Sequence, residues 1–296
     1  MSAVRQLVDG LGVANSRALP DAEFAAAWKE IVLPGDAKVR LARQAAATLR
    51  LRAAGIPFES LPLHGITLLV GPPGTGKTTL ARGLAQQVAV VARSLGSFMF
   101  VEIDPHALMS SAHGRSQRAV DQLFGESIRE SAMHGPTIVL LDEVETLAAD
   151  RGKLSMEANP IDVHRAVDAV LTSVDRLARD YATLLFIATS NVPDIIDVAF
   201  TSRADFVYSF SLPDADAREQ IIHATLEAVA AEFPGARRVI ESGAVRQAAD
   251  AAEGLDGRRL RKLVVAATAM RAEARVDPNE MTGADLLAAV AEAVAR

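Results

Sequence analysis

The sequence predicts an α/β fold, a parallel sheet sandwiched by helices, followed by a small all-helical C-terminal domain. Three observations predict it. Apolar runs between residues 66 and 210 alternate with helical patterns, and each run is continuous rather than alternating, as strands buried on both faces require. Strand signals stop after Pro213. Hydrophobic residues make up 50% of the chain but aromatic ones only 4%, so the core is aliphatic, which suits helices packed on a buried sheet.

The elements follow in order. Residues 1–27 carry weak signals, with a helix around Ala25-Ala26-Ala27-Trp28. Trp28 to Gly35 reads as a short extended piece closed by Pro34-Gly35. Asp36 is the expected N-cap of a helix reaching about Ala54, where Gly55 and Pro57 stop it. Ile66–Val70 is the first buried strand, and a helix follows from Lys77. Ser97–Ile103 is the second strand. Ser116–Ala132 is a helix with Val120, Leu123, Phe124 and Ile128 at helical spacing. Pro136–Leu141, Thr183–Ala188 and Phe206–Phe210 are the remaining strands, with a helix at 163–178 between the first two of them. Residues 214–232, 241–252, 257–273 and 283–295 read as helices, the last opened by a Thr282/Asp285 capping box. The expected domains are 1–60, a short N-terminal segment and linker; 61–212, the large α/β domain; and 213–296, the helical domain.

Composition sets outer bounds. The 296 residues contain no cysteine, which excludes disulfides, thiol catalysis and cysteine-bound zinc and fits a reducing compartment. Met1–Gly10 lacks an apolar signal region, and no apolar run approaches the roughly 18 residues of a membrane span. A cytoplasmic location without membrane contact is expected. A net charge of −6 weighs against nucleic acid as the main partner. His64, His106, His113, His134, His164 and His223 are scattered, so no metal besides Mg²⁺ is expected.

The chemistry is carried by Gly71-Pro72-Pro73-Gly74-Thr75-Gly76-Lys77-Thr78, between a strand and a helix. The glycines let backbone N–H groups wrap phosphates, and the helix N-terminus adds its dipole. Lys77 is placed to bridge the β- and γ-phosphates of ATP, and Thr78 to bind Mg²⁺ through its hydroxyl. Ile138-Val139-Leu140-Leu141-Asp142-Glu143 supplies the acidic partner. Asp142 is the second Mg²⁺-holding residue. Glu143 is the general base that polarises water, and its presence argues for hydrolysis rather than binding alone. Asn191 ends the fourth strand in Ala188-Thr189-Ser190-Asn191 and can orient the water with Glu143.

These motifs and their spacing resemble the AAA+ superfamily of P-loop NTPases. Within it the chain is similar to the pachytene-checkpoint (thyroid-receptor-interacting) ATPases that remodel HORMA-domain proteins. The resemblance covers about residues 64–290. It rests on Leu141-Asp142-Glu143-Val144-Glu145-Thr146-Leu147, Asp168–Asp175, Thr189-Ser190-Asn191, Ile196–Phe200 through Arg203-Ala204-Asp205, and Gly254–Leu263. It implies a homohexamer in which Arg203 is the arginine finger in the neighbouring site and Arg258 is sensor 2 of the lid. It adds Thr79 and the linker residue Ile31 to the nucleotide contacts. It places a substrate-gripping pore loop at Ser110–Gly114, with Ser111, Ala112 and His113 at its centre. Eukaryotic relatives carry an aromatic pair there; this chain has Ala112-His113, which shifts gripping to His113 and Met109.

Eukaryotic members also carry a folded adaptor-binding N-terminal domain, where this chain offers some 60 residues. Short members of this kind resemble the bacterial type that accompanies HORMA proteins and CD-NTases in CBASS anti-phage signalling. There the implied role is to disassemble the HORMA complex and switch signalling off. The alternatives are a DNA-handling AAA+ enzyme and an ATP-dependent scaffold that does not hydrolyse.

Overall fold

The computed structural model describes residues 8–10, 12–105, 116–146, 160–192, 196 and 198–295. The expected pore loop, with Ser111, Ala112 and His113, lies outside the described residues. The strands are β1 (Val13–Leu19), β2 (Ile66–Val70), β3 (Phe98–Ile103), β4 (Thr137–Leu141), β5 (Leu184–Ser190) and β6 (Phe206–Ser209). They form one sheet in the order β1-β3-β4-β5-β2-β6. The described pairs among β2–β6 are parallel, and β1 runs antiparallel to β3 at the edge. Every residue of β2, β3, β4 and β5 is buried, as their continuous apolar sequences require.

Contacts divide the chain into two units. The first holds Met1–Ile31, Asp36–Gly71 and Lys77–Phe210. The second holds Val32–Gly35, Pro72–Gly76 and Ser211–Arg296. In the first unit lie α1 (Ala22–Glu30), α2 (Ala37–Ala53), α3 (Lys77–Val91), α4 (Ser116–Gln122), α5 (Arg129–Met133), α6 (Pro160–Asp180) and α7 (Val198–Thr201). A π-helical turn over Leu123–Ile128 joins α4 to α5. The second unit carries α8 (Ala215–Glu232), α9 (Arg237–Glu241), α10 (Ala244–Ala251), α11 (Gly257–Ala267), α12 (Ala272–Val276) and α13 (Gly283–Val294) around an aliphatic core of its own. At α13 the Asp285 carboxylate accepts the Thr282 N–H at 2.8 Å.

Four local expectations are corrected. β1 was not expected, and it makes residues 13–19 part of the sheet. Trp28 to Glu30 is the last turn of α1 rather than extended chain, which begins at Ile31. There Lys38 Nζ donates to the Trp28 and Ile31 carbonyls, satisfying α1's unpaired end. Asp36 stands at the head of α2 without a side-chain cap bond; it pairs with Arg40 at 3.0 Å instead. The helix expected over 257–273 stops at Ala267, and α12 is separate.

The far end of the sheet is held by one buried cation. Arg52, on α2, is 8% exposed. Its guanidinium donates to the carbonyls of Ala178 at 2.8 Å, Tyr181 at 3.1 Å and Leu184. It thereby adds donors to the carbonyls where α6 ends and β5 begins, that of Tyr181 also accepting the Leu184 N–H at 3.1 Å. Burial pushes its pKa down to about 10, against the pull of Asp205. Arg52→Met removes these donors, and a buried carbonyl left unpaired costs about 1–3 kcal/mol. The expected result is a lower urea midpoint with an unchanged slope; a native midpoint would show that the guanidinium is dispensable.

Candidate nucleotide site

The strand order explains the site. β5 lies between β2 and β4, with Val70 opposite Ser190 and Leu141 opposite Ala188. The carboxyl ends of these three strands therefore deliver Gly71, Asn191 and Asp142-Glu143 side by side, the crevice in which open parallel sheets bind ligands.

Asp142 sits at the centre. Thr78 Oγ1, in the first turn of α3, donates to its carboxylate, with contacts of 2.9 and 3.1 Å to the two oxygens. Thr189 Oγ1, near the end of β5, donates to Asp142 Oδ1. The same Thr189 oxygen accepts the Glu143 N–H at 3.0 Å. This last bond fixes an unusual backbone. Glu143 has φ +52, and it alone among the described non-glycine residues has positive φ. Such a conformation costs roughly 1–2 kcal/mol and persists where surroundings enforce it, which is characteristic of functional turns. Asn191 Nδ2 then donates to Glu143 Oε1 at 3.1 Å. The paired carboxylate and amide are those expected to handle water.

Lys77 is buried, and its Nζ donates to the Gly71 carbonyl at 2.8 Å. Burial draws its pKa below the usual lysine range; Glu145, Asp142 and Glu143 pull it back. Glu145 also accepts the Asn191 N–H at 3.0 Å, while its Oε2 is buried without a hydrogen-bond partner among the described residues. Gly71 admits no side chain, because a Cβ would stand 2.6 Å from the Phe210 carbonyl oxygen and φ is +148.

The tip of the phosphate loop, Pro72–Gly76, groups with the helical unit. Within that unit the Gly74 carbonyl accepts the Arg258 N–H at 3.2 Å. A Cβ on Gly74 would lie 2.3 Å from Asp256 Oδ1. Asp256 caps α11 by accepting from Arg258 and Arg259 N–H. The Arg258 residue itself is exposed. Ile31 is buried at the end of α1, and Thr79 lies half-buried in the first turn of α3.

The donor set suits Mg²⁺, a hard cation that takes oxygen ligands and keeps several waters. Thr78 Oγ1 and the Asp142 carboxylate already lie within hydrogen-bond reach of each other. No cluster of three His, Cys, Asp or Glu side chains that could hold another metal occurs among the described residues.

Arg203 is not brought to this site. It follows α7, and the chain two residues on is pinned to the start of β2, where Asp205 Oδ1 and Oδ2 accept the N–H groups of His64, Gly65 and Ile66. The phosphate loop leaves the other end of β2, five residues away, or about 16 Å at the usual rise.

Sequence reasoning gave no role to Thr189, Glu145 or Asp256. Thr189 was findable, since two residues before Asn191 on a strand means the same face. Glu145 and Asp256 act through backbone groups distant in sequence, which no motif records.

The pattern of the ATPase family associated with various cellular activities (AAA) matches residues 67–212. The chain is 49% identical over 282 residues to CD-NTase-associated protein 6 of Pseudomonas aeruginosa, covering 95% of this chain and 92% of that protein. It is 32% identical over 287 residues to a pachytene checkpoint protein 2 homolog of Oryza sativa subsp. indica, covering 86% of this chain but only 60% of the longer relative. A chain in the solved E. coli MS115-1 HORMA:CdnC:Trip13 complex superposes with a TM-score of 0.78 at 18% identity, covering 97% of each.

Thr189→Val keeps the shape of the side chain and removes both of its hydrogen bonds at the Asp142-Glu143 turn. The expected outcome is a kcat for ATP hydrolysis lowered about 10- to 100-fold, with nucleotide binding retained. A native kcat would show that the turn does not depend on Thr189.

Proposed function

The chain belongs to the AAA ATPase family, in the group of CD-NTase-associated protein 6 and the pachytene checkpoint 2 proteins, and from that membership we propose that it is an ATP-driven remodeller of a HORMA-domain protein complex. In this reading it hydrolyses ATP to ADP and phosphate as a homohexamer. It takes a HORMA protein, alone or bound to a CD-NTase, as substrate and switches CBASS anti-phage signalling off. Its setting is the cytoplasm, and no helix among the described residues is long and apolar enough to cross a membrane.

The observation that carries the hydrolytic reading is the Asp142-Glu143 turn. A scaffold that only bound ATP would need Asp142. It would not need Glu143 held at positive φ by Thr189 and met by Asn191. Glu143 takes the proton of the attacking water, and Asn191 orients the carboxylate and the water. Lys77 leaves the Gly71 carbonyl for the phosphates. Thr78 and Asp142 would hold Mg²⁺, which supplies charge neutralisation on the phosphate oxygens. Gly71 to Thr79 and Ile31 form the nucleotide contacts, and Arg258 is assigned the lid's phosphate contact on its motif.

The placement of Arg203 supports a shared site. An arginine at the amino end of β2 has no route to a phosphate at the carboxyl end of the same strand, so it would serve a neighbour. The substrate rests on the relatives. The 49% identity to CD-NTase-associated protein 6 extends over nearly the whole of both chains, and the pachytene checkpoint group is its eukaryotic counterpart. The pore loop at Ser111, Ala112 and His113 is assigned the grip on substrate from the family resemblance.

Glu143→Gln is the test. The variant is expected to bind ATP, to hydrolyse it at least 100-fold more slowly, and to retain a HORMA–CD-NTase complex that the native enzyme releases with ATP. Hydrolysis at the native rate would refute the assignment of Glu143, and failure to retain the complex would refute the substrate.

A further inference from the structure

At the amino end of the strands a second charged cluster is built around Arg203. Asp175, on α6, binds the guanidinium side-on, with Nε to Oδ1 at 2.7 Å and Nη2 to Oδ2 at 2.8 Å. Nη1 donates to the Ala199 carbonyl of α7. His64 Nε2 lies 3.3 Å from Asp175 Oδ1, the same oxygen that accepts Arg203 Nε. The Arg203 guanidinium holds the Asp175 carboxyl below the usual carboxylate range. Burial lowers the His64 pKa despite Asp175 and Asp205, and Arg179 adds a weaker pull to that of Arg203 on the Asp175 carboxylate.

The backbone beneath is fixed as well. Arg203 N–H donates to the Phe200 carbonyl at 3.1 Å, and Asp205 N–H to the Ile66 carbonyl at 2.9 Å. Yet 24% of the Arg203 side chain remains accessible, so the guanidinium is held without being sealed in.

A long side chain that must meet a developing charge loses most of its effect if it has to be ordered at the moment of reaction. A bidentate carboxylate orders a guanidinium in advance, because the planar fork accepts only one relative geometry. We propose that Asp175 is the positioning residue of the arginine that acts in trans. It fixes the Arg203 guanidinium, with 24% of the side chain accessible, for a neighbouring subunit's nucleotide. This rests on the reading of Arg203 as a finger. His64 orients the carboxylate, and Ala199 holds the remaining edge.

The experiment uses the full chain and steady-state ATP hydrolysis. Asp175→Asn keeps the volume and one acceptor but loses the bidentate ion pair. It is expected to lower kcat about tenfold and leave KM for ATP within about twofold. The deciding measurement is mixing. Asp175→Asn subunits have an intact phosphate site and a misplaced arginine. Glu143→Gln subunits have a dead site and a native arginine. Mixed rings are expected to hydrolyse ATP faster than the two parents summed, and Arg203→Ala mixed with Glu143→Gln is expected to do the same. Asp175→Ser repeats the test should Asn disturb the fold.

If Arg203→Ala is slow and rescued while Asp175→Asn matches or exceeds the native rate, the positioning role falls and the finger stands. If Asp175→Asn and Asp175→Ser are slow and neither is rescued, the defect lies in their own site and the positioning role also falls. If Arg203→Ala hydrolyses normally, or is not rescued, the trans-acting arginine itself is wrong.

Discussion

The Asp142 carboxylate, held between the hydroxyls of Thr78 and Thr189, is the contact on which the rest of this site depends. It joins three chain segments that the sheet order alone only brings near. Thr78 opens α3 behind the phosphate loop, Asp142 ends β4, and Thr189 belongs to the strand between them. Each hydroxyl–carboxylate bond is charge-assisted and so stronger than a neutral one. Because the same Thr189 oxygen also accepts the Glu143 N–H, the left-handed turn and the carboxylate are fixed together. The positions of Glu143 and its Asn191 partner and the pairing of Thr78 with Asp142 are therefore one structural event.

A buried parallel sheet has two ends, and this chain uses both. The carboxyl ends carry Gly71, Asp142, Glu143 and Asn191. The amino ends carry His64, Asp205 and Arg52, with Asp175 and Arg203 packed beside them. Asp205 is central to that side: burial raises its pKa, while the His64, Gly65 and Ile66 N–H groups and Arg52 hold it down. Strand β2 separates the halves, so the two clusters fall on opposite edges of one domain. On the proposed reading, one half binds and cleaves ATP and the other half completes a neighbour's site. In the helical unit the Arg258 N–H and the Asp256 carboxylate lie against Gly74, so the tip of the phosphate loop and the head of α11 form a common structure there.

Much of this was legible in the sequence because the signals were local. β2, β4 and β5 are mostly apolar runs, and the residues that follow them are glycine, acids and Asn. The order in which β5 separates β2 from β4 was not legible, since pairing is a property of the assembled sheet. β1 was hidden because Val13-Ala14-Asn15-Ser16-Arg17 mixes polar and apolar residues and only Leu19 of the strand is buried; its pairing with β3 makes the strand, not its propensity. Asp36 shows the reverse error. The residue type was right for an N-cap, but Arg40, one turn on, draws the carboxylate away. Arg203 was singled out by its motif, whereas Asp175, 28 positions earlier, ends a family-like stretch that gave it no role until α6 and α7 are packed.

The central claim is that each working site is completed by a second subunit. It is tested most directly by the ATPase rate per subunit as the protein is diluted at saturating ATP and Mg²⁺. The account predicts a steep, cooperative loss of specific activity as rings dissociate, with the lost activity returning on reconcentration. A specific activity that stays constant after light scattering shows only monomer would contradict it.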